Sequence, residues 1–125
     1  MSHAGAVLIT GTGGMIGSHL SQILSRRGEA VIGSYYRPTI ALEEIAGDGE
    51  LVELDVRYFE PVRRLIEDRR PGAIFHLAAQ GLPTLSWQRP WETIDVNVRS
   101  TVNLFEAMKA VRARDASYDP VVVVA

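Results

Sequence analysis

The sequence predicts an α/β fold: a doubly wound parallel sheet of strand order 3-2-1-4-5, in a single domain over residues 1–125. Three observations carry this. Short apolar runs alternate with helix-periodic segments along the whole chain. The apolar runs are continuous, as in strands covered on both faces, and do not alternate with polar residues. The first run ends in a glycine-rich turn, Gly11-Thr12-Gly13-Gly14-Met15-Ile16-Gly17, that opens a helix. Strands separated by helices pair in parallel through right-handed crossovers. A ligand in such a sheet belongs at the switch between strands one and four.

Each element has its own signal. Strand one is residues 6–10. The first helix runs over about 15–27, with Ile16, Leu20, Ile23 and Leu24 on one face and Gly28 as its stop. Strand two is Ala30 to Tyr35. A loop at Arg37-Pro38 precedes a short helical piece near Ile40 to Ala46, and Asp48-Gly49 makes a turn. Strand three is Leu51 to Leu54. A helix near Tyr58 to Arg69 presents Phe59, Val62, Leu65 and Ile66, and Pro71-Gly72 ends it. Strand four is Ala73 to Leu77. One long helix is expected over about Trp91 to Arg112, and strand five is Val121 to Val124. No internal repeat or low-complexity linker interrupts the series.

The glycine turn points to a dinucleotide pyrophosphate. Gly11 allows the tight turn off the strand, Gly14 lets backbone approach phosphate, and Gly17 lets the helix pack closely on the sheet. The helix N-terminus, from Thr12 through Met15 and Ile16, offers free N–H groups and a positive dipole end. The apolar strand before the turn and the amphipathic helix after it supply the context this motif needs.

The spacing refines the picture. Thr10 precedes three glycines that lie three apart, whereas the ordinary Rossmann fingerprint has its first two glycines only two apart. This resembles the extended short-chain dehydrogenase/reductase family, of NAD-dependent epimerase/dehydratase type, with its Thr-Gly-x-x-Gly-x-x-Gly. Leu54-Asp55-Val56 resembles the family's Asp-Val, where the acid meets the adenine amino group. His76-Leu77-Ala78-Ala79-Gln80 resembles its His-x-Ala-Ala segment beside the cofactor. Asn97-Val98, with Thr101 beyond, resembles its Asn-Val-x-Gly-Thr helix, except that Arg99 and Ser100 hold the two middle positions. The resemblance covers essentially the whole chain. Between His76 and Lys109 it is most like sugar-nucleotide enzymes of the GDP-mannose 4,6-dehydratase and reductase type.

The resemblance also implies a part that these residues do not contain. The family's chemistry uses a Tyr-x-x-x-Lys pair on a helix after strand five, with a Ser or Thr orienting the same substrate oxygen. Here the single lysine, Lys109, has Phe105 four residues before it. None of Tyr35, Tyr36, Tyr58 or Tyr118 has a lysine four residues on. The chain thus reads as the N-terminal, cofactor-binding part of a longer enzyme, with no catalytic residue of its own. Met1-Ser2-His3 reads equally as native or as a cloning remnant.

Composition sets outer limits. The 125 residues suffice to bury about two-thirds of the unfolded surface. A net charge of -2, with no arginine cluster apart from helical faces, argues against nucleic acid as a partner. With no cysteine there is no disulfide, thiol nucleophile or thiolate metal site. No apolar run approaches the ~18 residues of a membrane span, and the N-terminus lacks a signal-peptide pattern, so a soluble cytoplasmic protein is expected.

Other polar residues have blander readings. His3, His19 and His76 form no metal set. His19 falls on the solvent side of the first helix. His76, at the end of a buried strand, reads as a satisfied core or cofactor-shell histidine and not as a general base. Glu43-Glu44, Arg63-Arg64 and Arg69-Arg70 read as solvated helix surface. Trp87 and Trp91 read as loop packing around Pro90 and not as a sugar platform. Asn97 could hydrogen-bond a neighbouring strand or order water near a nicotinamide.

Cofactor choice turns on the end of strand two. An NAD site usually has an acid there to hold the ribose 2′-hydroxyl. Gly33-Ser34-Tyr35-Tyr36-Arg37 contains none. Ser34 is small and Arg37 could pair with a 2′-phosphate, so NADP is expected, with NAD as the alternative. The leading function is the NADP(H)-binding half of a sugar-nucleotide dehydratase, epimerase or reductase, with sugar nucleotide as partner of the full-length enzyme. The alternative is a non-catalytic dinucleotide-binding or sensing module. The long helix is apolar over too wide an arc for one contact: Ile94, Val98, Val102 and Phe105 form one stripe, and Thr101, Leu104, Met108 and Val111 an adjacent one. With the flat run Val121 to Val124 as an open edge, this predicts a homo-oligomer.

Overall fold

A computed structural model describes residues 5–38, 40–46 and 49–125. Residues 1–4, which include His3, and Asp48 of the expected Asp48-Gly49 turn lie outside that set, as do Thr39 and Gly47. The chain runs β1 (Val7–Thr10), α1 (Met15–Arg26), β2 (Val31–Tyr35), α2 (Leu42–Ala46), β3 (Glu50–Glu53), α3 (Phe59–Arg69), β4 (Ala73–His76), α4 (Pro83–Gln88), α5 (Pro90–Ile94), a π-helical turn (Asp95–Arg99), α6 (Ser100–Arg114) and β5 (Val121–Val124).

The strands form one parallel sheet in the order β3-β2-β1-β4-β5, as expected. Side chains alternate across it, so β1, β2 and β4 feed two cores, whereas β3 and β5 feed one. Val7, Ile9, Val31 and Ala73 face α1, where Leu20 and Leu24 pack. Leu8, Ile32 and Ile74 face the other way, against Val62 and Ile66 of α3 and Leu104, Ala107 and Val111 of α6. Both faces are covered at β1 and β4 and over most of β2, but not at β5, where Val121, Val123 and Val124 are exposed.

Four expectations need correction. Ile16 and Ile23 do not share the buried face of α1; both are exposed. The buried residues of α1 are Gly17, Ser18 and Ser21, small side chains that bring the helix close to the sheet and leave the two isoleucines on its flanks. The single helix expected over 91–112 is α5, the π-helical turn and α6, and it runs on to Arg114. Helix α4 was not expected at all; Pro83 at its first position supplies a start signal. Trp87 lies in α4 and Trp91 in α5, and neither packs into a loop: they are 87% and 78% exposed.

The stop of α1 is as expected. Gly28 follows α1 at φ +84, a left-handed position. Arg63 of α3 pairs with Glu60 and Glu67, Arg69 with Glu50, and Arg70, just past the helix, with Asp115. Glu43 and Glu44 are exposed. Among the described residues no helix is long and apolar enough to cross a membrane, and no cluster of His, Asp and Glu could hold a metal.

Candidate functional site

The C-terminal ends of β1, β2 and β4 open into a cavity of about 330 Å³. This is the switch point, where the chain leaves β1 in one direction and β4 in the other. Five stretches line it: Gly11, Gly13 and Gly14 of the first turn; Ser34 to Pro38; Leu54 to Arg57; Leu77 to Gln80; and Leu82, Leu85, Glu92 and Val96 from the α4–α5 region.

The turn is built from backbone. Gly11 sits at φ +80, and a Cβ there would lie 2.8 Å from the Ala78 nitrogen. Three donors converge on the Ser34 carbonyl: the amides of Gly11 and Thr12 at 3.0 and 2.9 Å, and the Thr12 hydroxyl at 2.9 Å. Thr12 is fully buried in a notch left by Gly33, where a Cβ would lie 2.7 Å from the Thr12 methyl. A Cβ on Gly17 would lie 2.9 Å from the Gly11 carbonyl carbon, 3.0 Å from Thr12 Cα, and closer still to the Gly11 oxygen. Gly14 has open space, its nearest neighbour being the Gly11 oxygen at 3.5 Å. No side chain caps the N-terminus of α1 and no acid lies in its first turn. A helix start of this kind, uncapped and without acids, favours an anion. A phosphate-bearing group fits this cradle.

The proposed cofactor residues divide accordingly. Gly11, Gly13, Gly14, Ser34, Arg37, Asp55, Val56, Leu77, Ala78 and Ala79 line the cavity. Thr12 and Gly17 do not; they hold the turn from behind. Met15 and Ile16 are exposed and contribute backbone at the helix start, not cavity wall. Asn97 also stays outside. Its Oδ1 accepts from the Gln80 amide at 2.7 Å and its Nδ2 donates to the Gln80 carbonyl at 3.1 Å. It clamps the segment after β4, which is the hydrogen-bonding alternative left open by the sequence.

Sequence reasoning missed Arg57 and Tyr36. Arg57 donates to both oxygens of Asp55, at 2.9, 3.2 and 2.6 Å, and its own amide donates to Oδ1 at 3.1 Å. Burial opposes ionisation of Asp55. The Arg57 hydrogen bonds and the charges of Arg57 and Arg37 outweigh it and hold the carboxyl below its usual range. Arg37 and Arg57 both lie over the Tyr36 ring, at 5.0 and 5.7 Å from its centroid. Arg37 does so at φ 49, an uncommon conformation for a non-glycine residue. The adjacency of Arg57 to Asp55-Val56 was the available signal. His76, as expected, is a satisfied core histidine: Nδ1 is 2.8 Å from Thr10 Oγ1 and Nε2 is 3.1 Å from Ser100 Oγ.

Residues 7–121 match the model of a family described as the NAD dependent epimerase/dehydratase family. The chain belongs to that family. A CDP-glucose 4,6-dehydratase from Salmonella typhimurium is 41% identical over 110 residues, covering 84% of this chain and 31% of that protein. UDP-glucuronate 4-epimerase 4 from Arabidopsis thaliana is 35% identical over 120 residues, 88% of this chain and 27% of that one. Among solved structures, a UDP-glucose 4-epimerase from Thermus thermophilus in complex with NAD superposes with a TM-score of 0.77 at 32% identity. It covers 85% of this chain and 34% of that one. A UDP-glucose 4-epimerase from Thermotoga maritima with UDP-glucose gives a TM-score of 0.79 at 27% identity, covering 85% and 34%. This epimerase/dehydratase chain spans about a third of the length of the curated relatives it matches.

Proposed function

We propose that this chain is the dinucleotide-binding half of a sugar-nucleotide dehydratase, epimerase or reductase, and that it takes NADP(H) in preference to NAD(H). The observation that carries the reading is convergence. The glycine cradle, the end of β2, Asp55-Val56 and Leu77–Ala79 all line one cavity at the switch point. In the family the bound nicotinamide supplies hydride exchange at a sugar carbon. This chain's own residues do the holding. Gly11 and Gly14 admit the pyrophosphate against backbone, and the first turn of α1 donates to it. Asp55, kept ionised by Arg57, accepts from the adenine amino group. Leu77, Ala78 and Ala79 form the wall beneath the sugars and rings.

The preference for a 2′-phosphate rests on Ser34 and Arg37. The end of β2 carries no acid to receive a ribose hydroxyl. It presents a small side chain and the Arg37 guanidinium, which lies 5.0 Å from the Tyr36 ring centroid and carries a charge suited to phosphate. Two measurements test the proposal. Mass spectrometry of nucleotide released from the purified protein identifies the bound species. Calorimetric titration with each nucleotide ranks them, and equal affinity or tighter NAD binding defeats the NADP reading.

A further inference from the structure

Behind the cavity runs a chain of hydrogen bonds whose two ends are cavity walls. It starts at the amides of Leu77 and Ala78, which donate to Thr10 Oγ1 at 3.1 Å each; the Leu77 amide is shared with the Thr10 carbonyl at 3.2 Å. Thr10 Oγ1 meets His76 Nδ1 at 2.8 Å, and His76 Nε2 meets Ser100 Oγ at 3.1 Å. Ser100 Oγ donates to the carbonyl of Val96 in the π-helical turn. Leu77, Ala78 and Val96 all line the cavity.

The direction of every bond is fixed by counting protons. Both acceptor positions of the Thr10 hydroxyl are filled by amides, so its proton points to His76 Nδ1, which must be bare. The Ser100 proton goes to Val96, so Ser100 accepts, and His76 Nε2 must carry the hydrogen. One tautomer of the neutral ring satisfies the whole chain. A proton on Nδ1 would meet the Thr10 hydroxyl hydrogen unless that hydroxyl gave up one of its two amides, leaving Leu77 to the Thr10 carbonyl alone. We propose that His76 is a positioning residue for the dinucleotide cavity: as a neutral Nε2–H imidazole it ties the wall after β4 to the wall formed by the π-helical turn, and its protonation unties them. This rests on the dinucleotide reading of the cavity.

No side chain described around the ring would compensate the charge. Thr10, His76 and Ser100 are 2%, 3% and 1% exposed, so water cannot take over the bonds. The space beside the ring is bounded by Leu8 of β1, by Leu54 and Val56 around the end of β3, by Val62, Leu65 and Ile66 of α3, and by Leu104 of α6. From β5, the Ala125 amide reaches the His76 carbonyl. None of these side chains titrates or carries a charge; beside the Ala125 amide stands that residue's own α-carboxylate, a charged group. Burial accordingly lowers the His76 pKa below its ordinary value. The sign follows: above about pH 6.5 folded and unfolded chains both hold the ring neutral. Below it the unfolded chain gains a proton that the folded one resists, so stability falls with falling pH.

The test uses the purified protein. Nitrogen-15 spectra of the ring at about pH 7.5 should show a protonated Nε2 and a bare Nδ1. The opposite tautomer overturns the proposal whether or not any nucleotide binds. Titration with NAD, which lacks a 2′-phosphate ionising near pH 6, should show affinity falling at least about threefold between pH 7.5 and 5.0. The His76→Asn variant keeps an acceptor for Thr10 and has no proton to gain. It loses the donor to Ser100, so it should bind NAD more weakly than the parent at pH 7.5 and show no pH dependence. The His76→Leu variant keeps neither bond and should bind at least about tenfold more weakly at both pH values. Where a variant fails to fold, the parent protein still decides: amide shifts of Leu77 and Ala78 that do not move as His76 titrates refute the coupling. If NAD and NADP both fail to bind at neutral pH while the tautomer and amide shifts behave as stated, the dinucleotide reading fails and the wiring stands. Identical pH profiles for parent and His76→Asn sink the positioning role.

Discussion

Gly14 and Gly17 lie on consecutive arms of one turn, yet a methyl group added to each should have opposite consequences. At Gly17 the new Cβ would press on backbone of Gly11 and Thr12, at 2.9 and 3.0 Å and closer to the Gly11 oxygen. Backbone cannot rotate away as a side chain can. The Gly11 amide is itself held by Ser34, and Gly11 Cα faces Ala78, so the turn is fixed on its far side. Relief requires lifting the first turn of α1 off the sheet. Overpacking of this kind costs about 1–3 kcal/mol, and the upper part of that range fits contacts to backbone. Alanine gains about 1 kcal/mol over glycine in a helix interior, less at the first turn. The Gly17→Ala variant should therefore lose about 2 kcal/mol. In a domain of this size that lowers Tm by about 8 °C.

At Gly14 the nearest atom is 3.5 Å away, ordinary contact distance, and the backbone is extended at φ -99 and ψ 173, open to alanine. Stability of the Gly14→Ala variant should stay within about 0.5 kcal/mol of the parent. But Gly14 lines the cavity, and its methyl would occupy the approach to the phosphates. Dinucleotide affinity should fall about tenfold or more, a loss near 1.4 kcal/mol. Thermal denaturation and calorimetric titration on both variants form the assay. A Gly17→Ala protein as stable as the parent, or a Gly14→Ala protein that binds as well, would refute the division of labour.

Other outcomes follow from the same structure. Removing the guanidinium in Arg37→Ser should weaken NADP at least about tenfold while leaving NAD within about twofold, since charge-assisted bonds to phosphate are the strong ones; equal losses for both nucleotides would contradict a 2′-phosphate role. Incubated with NADP and GDP-mannose, CDP-glucose or UDP-glucuronate, the 125-residue chain should give no sustained 4-keto sugar, because Lys109 pairs with Glu106 and follows Phe105 at four residues. An enzyme-proportional signal by mass spectrometry would show otherwise. The Asn97→Ala variant leaves the Gln80 amide and carbonyl to solvent and should cost about 0.5–1 kcal/mol in chemical denaturation, with proton exchange at the Gln80 amide accelerated. Ile94, Val98, Val102 and Phe105 form an exposed stripe, so the chain should self-associate; a clean monomer by light scattering at about 100 μM would count against it.

The strand order and the location of the site were legible because both depend on features that survive in one dimension. A parallel sheet needs continuous apolar runs, and β1, β2 and β4 supply them. A backbone cradle needs glycine, and Gly11, Gly14 and Gly17 mark it without any knowledge of what surrounds them. What stayed hidden depends on which of two neighbours a residue meets. Ile16 looks as buried as Leu20 by periodicity, but the small Gly17, Ser18 and Ser21 decide the buried face, and a moment computed from hydrophobicity gives small residues no weight. Gly33 reads as a glycine inside a strand, and its purpose appears only when Thr12 is seen in the notch. Asp55 carries a motif, but the capture of its carboxylate by Arg57 is a side-chain event.

The π-helical turn is the most instructive omission. Apolar spacing over 91–112 fits one helix, because a single wide turn shifts later side chains by less than the width of an apolar stripe. The structure uses that shift for polar work. Residues before the turn's end face the loop after β4, where Asn97 holds both groups of the Gln80 peptide. Ser100, at its exit, faces the core, where it meets His76. Wide turns of this kind are frequent at functional sites. Here the turn lets one segment brace the cavity from outside through Asn97 and from behind through Ser100. Neither contact requires the residue types that periodicity can detect.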